Sequence, residues 1–447
     1  MHFASPTYLR TAATALIMLL AIAARAQDPF YNAGLPRLGF ERDYMSVFAG
    51  YSVGSTMLTN SFMNRFYKGG FITNELKSEA IKRQNPYNYL GASAEAGYAW
   101  HWRTGWGKKR TDTIVEILLY IPNKTPRRYQ QHNVTYRERF LLNAGFSTDA
   151  FRMVFEGNRP FYGDTIDLNN TRFTSLRFQE LHYGIDFYND RWPVSFGVGV
   201  SLLNGQNFSR AYVKDGFVYT EPLLNYIDVR ANAQWQQSDT AQSGWGVTNG
   251  LGASVALSLN YQFQDVFKIE TQLRDLGAIR WNSNTLNYKR DTLIHFTGID
   301  ISNAVIDPES VDGLPEIDSI TGVARKGDLT TWLPAAYFVR VSSVMKNYHS
   351  LQWGWTIQGW TATGWYSNKP SAQHTFWGAY QMGARLRAQA GVAFGGFARF
   401  QTPAELAVSF KHVHLQAGTP NLLAWLAPGN TTGQGVWISL GYQFGNP

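Results

Sequence analysis

Few residues in this sequence have both the type and the spacing to do chemistry. His412 and His414 lie two apart on a predicted strand, so both rings would point to one face, where imidazoles could hold a metal. A site of that kind needs a third ligand at defined spacing, and none accompanies them; lumen-facing polar residues are the plainer reading. The chain has no Cys at all, which excludes a thiolate site. Arg385, Arg387 and Arg399 share one face of the Met382–Phe400 segment, and Arg230 sits on another predicted strand. Guanidinium groups lining a channel would favour anions, unless acids on neighbouring strands pair with them. Asp300, Asp307, Glu309, Asp312, Glu316 and Asp318 make an acidic loop over 298–331. Carboxylates suit Ca²⁺, but the spacing is not that of an EF-hand, and a solvated loop is expected. No H-E-x-x-H, Walker A or G-x-S-x-G pattern is present. Catalytic, cofactor and metal residues are therefore expected to be none, and the protein is read as not an enzyme.

The elements that carry these residues alternate with a period of two. Val255, Leu257, Leu259, Tyr261 and Phe263 oppose Ser254, Ala256, Ser258, Asn260 and Gln262. Phe196, Val198, Val200 and Leu202 oppose Ser195, Gly197, Gly199 and Ser201, and 436–444 repeats the pattern. One apolar face per strand means half-burial. A sandwich in water would carry Lys and Glu on its polar faces; here they carry Gly, Ser, Asn and Gln, as a narrow lumen would.

Composition agrees. Only 16% of the 447 residues are charged, against about 25% in an average soluble domain, while 15% are aromatic. After residue 26 no apolar run is long enough for a membrane-spanning helix. The basic Arg10, the apolar stretch 15–22 and Ala24-Arg25-Ala26 make a secretory signal peptide over 1–26, cleaved after Ala26. Cleavage removes two Arg and no acid, so the formal charge falls from +8 by two. The remaining Lys and Arg are scattered, which argues against a nucleic-acid partner.

Strands are predicted to begin near residues 44, 88, 110, 134, 151, 174, 192, 225, 247, 265, 285, 332, 349, 376, 404 and 435. Long and short connections alternate between them, as in bacterial barrels. Residues 58–87 interrupt the pattern with two short amphipathic helices. Ser61 would cap the first and Thr73 or Asn74 the second. Phe62, Phe66 and Tyr67 on the first are candidates to plug the lumen, or else the pair packs on the rim. The chain closes on Tyr442-Gln443-Phe444, the aromatic-x-aromatic end that barrel-assembly machinery reads, with Gly445-Asn446-Pro447 trailing beyond it.

Two stretches, Leu58-Thr59-Asn60-Ser61-Phe62-Met63-Asn64-Arg65-Phe66 with Gly69-Gly70-Phe71-Ile72, and Asp275-Leu276-Gly277-Ala278-Ile279-Arg280-Trp281 with Phe296-Thr297-Gly298-Ile299-Asp300, resemble a family of Bacteroidetes outer-membrane proteins of unknown function. More distantly the layout is similar to FadL-type barrels and to the PorV and PorP/SprF barrels of type IX secretion and gliding. The resemblance implies a barrel in a Bacteroidetes outer membrane and no catalytic residue. The expectation is an all-β, transmembrane antiparallel β-barrel of about 14–16 strands over 27–447. It would serve passive transport or, alternatively, anchor secretion or surface proteins, with a surface enzyme a third reading. Its partners would be outer-membrane lipid and the assembly machinery, and cofactors are expected to be none.

Overall fold

The computed structural model describes residues 43–105, 128–189, 193–242, 244–263, 266–297, 325–344, 351–360, 372–383 and 385–444. The expected signal peptide, the strand expected near residue 110 and nearly all of the acidic 298–331 segment lie outside them.

Fourteen strands close into one antiparallel barrel. In chain order they are β1 (Tyr44–Ser55), β2 (Tyr87–Gly105), β3 (Arg128–Ser147), β4 (Arg172–Asn189), β5 (Val194–Thr220), β6 (Gly250–Phe263) and β7 (Phe267–Trp281). They continue with β8 (Ala336–Ser343), β9 (Leu351–Trp360), β10 (Gln373–Met382), β11 (Leu386–Phe394), β12 (Ala404–Phe410), β13 (Val413–Thr419) and β14 (Gly433–Gln443). Each pairs with its neighbour in this series, and β14 returns to β1 from Tyr44↔Gln443 to Gly54↔Gly433. Closure leaves the wall no bare edge, which is what a spanning sheet must achieve in hydrocarbon.

The register carries the alternation around the ring. Ser46, Phe48, Ser439 and Gly441 face inward, while Val47, Ile438 and Leu440 face out. Leu202 is 68% exposed and Val47 62%, within a continuous apolar belt that also includes Val200, Leu257, Leu406 and Leu415. A soluble monomer rarely exposes more than a few hundred Å² of contiguous apolar surface. This exterior suits a bilayer. Paired rings mark its two rims: Phe187–Phe196, Phe263–Phe267 and Tyr442–Phe444 at one, with centroids 4.9, 5.1 and 5.2 Å apart, and Phe394–Phe400 at the other.

The strand ends joined by 190–193, 264–266, 344–350, 383–385 and 411–412 are on the side of the strand termini Tyr44 and Gln443, hereafter the turn side, as are those joined by the longer stretch 106–127. Connections 56–86, 148–171, 221–249, 282–335, 361–372, 395–403 and 420–432 lie on the loop side. Most short connections gather on the turn side and the long ones on the loop side, but the expected short link 238–246 lies on the loop side, the expected loop 204–224 is mostly strand, and several expected strands change role. The one expected near 151 is a helix, α3. Segments Ile227–Gln237 and Leu286–Phe296 are strands outside the wall: β5 outgrows the barrel, and its far half pairs with the first, which pairs with the second. Arg230 belongs to this projecting sheet and not to the lumen, held by Asp215 at 3.4 Å and Asp291 at 2.8 Å. Turns at 383–385 and Lys411–His412 split what read as single strands.

Three helices of eight or nine residues decorate the loop side: α1 (Asn60–Tyr67), α2 (Asn74–Lys82) and α3 (Thr148–Glu156). Thr59, rather than Ser61, caps α1 by accepting from the Phe62 amide; Thr73 caps α2 and Ser147 caps α3 in the same way. Glu75 in the first turn of α2 is held below the ordinary carboxyl range by a backbone hydrogen bond and by Thr73. The three helices pack on the outer wall, against the outward-facing Val53, Leu90, Ala92 and Phe146. Phe62 is buried there, its ring 5.9 Å from Phe151 and 5.3 Å from Phe155. This overturns the plug reading: Phe62 is outside the lumen, and Phe66 and Tyr67 are 57% and 65% exposed beside the lipid belt. Apolar helix faces have a better partner in an apolar wall than in a polar lumen. Phe62→Ala is expected to lower stability by roughly 3 kcal/mol, read as earlier loss of heat-modifiable gel migration, with bilayer conductance unchanged. Increased conductance would return this helix to the lumen.

α1 also fastens the seam where β14 meets β1. The Asn60 amide nitrogen donates to Thr431 Oγ1 at 2.7 Å and to the Gly433 carbonyl at 3.0 Å, and Gln434 reaches Asn64 at 3.0 Å.

Candidate functional site

In the lumen, side chains from many strands converge away from lipid, and it is layered. Nearest the loop side, Leu141, Leu176, Phe178, Leu203, Phe208, Ile279, Trp281 and Trp360 point inward from the wall, with Leu333 and Phe397 arriving from loops. None is more than 5% exposed. Phe208 stacks on Trp281 at 5.4 Å, Trp360 meets Phe397 edge-on at 5.8 Å, and the Trp281 indole donates to Thr331 Oγ1 at 2.8 Å. Together they form a dry plug.

Glycine makes room for it. A Cβ on Gly91 would lie 2.5 Å from the Phe397 ring, and one on Gly205 would lie 2.8 Å from Trp281. Gly91→Ala is expected to push Phe397 and its 395–403 loop outward, at a cost of about 1–3 kcal/mol. Trypsin cutting after Arg399, the exposed cation of that loop, reports it; an unchanged cleavage rate would mean that the ring adapts in place.

Below the plug lies an ionic layer. Arg139 from β3 makes a forked pair with Asp275 of β7, at 2.7 and 3.0 Å, and reaches Glu180 at 3.3 Å and Glu95 at 3.8 Å. Arg137 makes a second fork to Glu180 at 2.8 Å, and Ser201 donates to the same carboxylate at 2.8 Å. Three strands of wall separate β3 from β7, so Arg139–Asp275 is a chord across the interior. A bulge lets Asp275 take part. Arg274 and Asp275 together oppose Ala256, and Asp275 adopts φ 63°, so both side chains turn inward. Arg137, Arg139 and Arg274 balance Glu95, Glu180 and Asp275, all deeply buried or nearly so. The Arg139 guanidinium also lies 5.1 Å from the Phe178 ring, which joins this layer to the plug.

The turn side of the lumen holds a cavity of about 500 Å³, lined by Tyr44, His101, Asp186, Gln272, Arg340 and Arg387 among others. Of the Arg residues expected to line the lumen, Arg387 does so, 4% exposed, hydrogen-bonded to Gln352 at 3.1 Å and facing Glu405 at 3.7 Å. Arg385 is exposed in the 383–385 turn, and Arg399 sits at the opposite end, donating to the Arg83 carbonyl. The three therefore share no face, because the turn and the 395–403 loop break the strand that parity assumed. His412 lies in a turn while His414 enters the lumen and bonds to Ser409 at 2.9 Å. Among the described residues no group of three metal-capable side chains occurs. Tyr442 and Phe444 face outward at the turn-side rim, and the Phe444 amide donates to the Asp43 carbonyl at 2.8 Å.

Sequence reasoning missed both the plug and the ionic layer. One signal was available: Leu202-Leu203 and Leu141-Leu142 put apolar residues on both faces of a strand, marking a dry interior level.

The profile of a family of unknown function (DUF5723) matches residues 109–419. The chain belongs to that family. No curated protein matches it. Among solved structures, the Ralstonia pickettii toluene transporter TbuX is 11% identical at a TM-score of 0.42, over 95% of each chain. A FadL homologue from Pseudomonas aeruginosa is 10% identical at 0.41, over 91% of each. The Pseudomonas putida toluene transporter TodX is 8% identical at 0.37, over 94% of this chain and 93% of its own. Within the family-matched region, the Asp275–Trp281 stretch supplies one carboxylate to the ionic layer and two side chains, Ile279 and Trp281, to the plug.

Proposed function

We propose that this protein is an outer-membrane transport barrel, closed in the state described and gated by its lumen plug. The observation that carries the reading is the pairing of a lipid-facing exterior with a polar cavity of about 500 Å³ beneath a single apolar barrier. A barrel serving only as an anchor has no need of a polar chamber set behind an ionic layer and an apolar plug. An apolar constriction blocks water and solutes by dewetting and opens when a few side chains move apart. Short turns would face the periplasm and long loops the exterior, so the cavity would open inward. The proposed partners are outer-membrane lipid and the assembly machinery, with Tyr442 and Phe444 as its signal, after export and cleavage behind Ala26.

Liposome swelling tests the proposal. Vesicles containing the intact barrel should swell little faster in small sugars than empty vesicles, and vesicles with plug-trimmed barrels should swell several-fold faster. If trimmed barrels remain as tight as empty vesicles, the lumen is no path and the transport reading fails.

A further inference from the structure

We infer that the turn-side cavity is a binding site for a small polar carboxylate, held by Arg340 of β8 and Arg387 of β11. This rests on the geometry of the cavity, not on passage through the barrel. Both side chains line it. Arg340 is fixed between two rings, 4.8 Å from Phe338 and 5.7 Å from Trp377, with Trp377 tied to Thr356 at 3.1 Å. Its acid, Glu270, stands 3.6 Å away and is engaged by Lys268 at 2.8 Å. Arg387 is 96% buried by the complement of its 4% exposure, yet Glu405 lies 3.7 Å off, beyond hydrogen-bond reach.

Among the described residues, Nε and Nη1 of Arg387 and Nε of Arg340 have no hydrogen-bond acceptor. A buried guanidinium with unmade bonds is costly, and its fork matches a carboxylate in geometry as well as charge. The surrounding wall offers Gln131, Asn133, Gln272, Ser342 and Gln352, which would recognise hydroxyl or second carboxyl groups on the same molecule. The cavity's size is that of an ordinary small-molecule site. A hydroxy-acid or diacid therefore fits this lining better than an apolar compound does.

Equilibrium dialysis on the intact barrel in detergent is the test, with malate, its neutral diamide malamide, and inorganic phosphate as probes. Malate is expected to bind saturably and malamide not to, a comparison that needs no variant. Arg340→Gln and Arg387→Gln should each weaken malate roughly tenfold, the loss expected of one charge-assisted hydrogen bond. Arg387→Lys, which keeps the charge without the fork, should fall between, and Arg385→Gln in the exposed turn should change nothing. Heat-modifiable migration verifies that each variant is folded. No saturable malate binding, equal binding of malamide, or indifference to both arginine substitutions overturns the proposal. Binding of phosphate without malate overturns the carboxylate assignment. None of these outcomes bears on liposome swelling, so the two readings fail separately.

Discussion

Trp281→Ala combined with Phe397→Ala is expected to make the barrel conduct, with discrete current steps in planar bilayers where the unaltered protein shows none. The two rings come from different places, one from the wall and one from the 395–403 loop, and each contacts another plug aromatic: Trp281 meets Phe208, and Phe397 meets Trp360. Each truncation costs roughly 3–5 kcal/mol when the hole stays empty. Here the polar cavity below can supply water, so part of that cost is relieved by wetting the layer. Conductance should remain modest, because the Arg139–Asp275 chord still crosses the lumen. Phe62→Ala, which trims a ring of similar burial on the outer wall, is the control and should stay silent. Silence in the double variant as well, with normal folding, would mean that the lumen is no path, and the transport reading would fail with it.

Removing the Arg139 charge is the second change with a large effect. Arg139→Met is expected to destabilise the barrel by about 3–5 kcal/mol, because Asp275 loses its forked partner, Glu95 its nearest guanidinium and Glu180 one of its three arginine hydrogen bonds, all in a buried layer. Asp275→Asn should cost less. Arg139 keeps Glu180 and Glu95, and asparagine tolerates the positive φ of that position. The double variant should be more stable than Arg139→Met alone, since the unpaired Asp275 carboxylate disappears. Denaturant-dependent gel migration measures all three. If Arg139→Met and Asp275→Asn simply add, the pair is not coupled and the layer is a set of independent contacts.

What was legible in the sequence followed from parity. Strands such as Ser254–Phe263 and Val436–Phe444 show one polar and one apolar face over many residues, and only a half-lipid environment suits their composition. Parity does not say which sheet a strand joins, so Ile227–Gln237 read as wall although it pairs beyond the barrel. Nor does it distinguish a short apolar run in a helix from one in a strand. Phe151, Met153 and Val154 read as strand, although Ser147 before them, Asp149 in the first turn and Gly157 after them are helix punctuation. The turn at Lys411–His412 contains no Gly, Pro, Asn or Asp, and it bends the chain through the positive φ of Lys411. The site was least legible because it depends on exceptions to parity. Bulges at Arg177/Phe178 and Val255/Leu257 shift which residues point inward, and Arg139 meets Asp275 across 136 positions of chain.

The seam between β14 and β1 bears on how the molecule comes into being. Its two strands stand nearly the whole chain apart, so this pairing carries the largest loop-closure penalty in the wall and cannot form until the last strand is made. Until then the nascent sheet has two open margins, each able to capture the wrong strand. Asn60 follows the end of the first strand by a short link, and its side chain binds Thr431 and Gly433 at the entry to the last strand. It is therefore placed to select the correct ending, so that a variant such as Asn60→Ala would show its defect as slow or failed ring closure during biogenesis more than as weakness in the finished barrel.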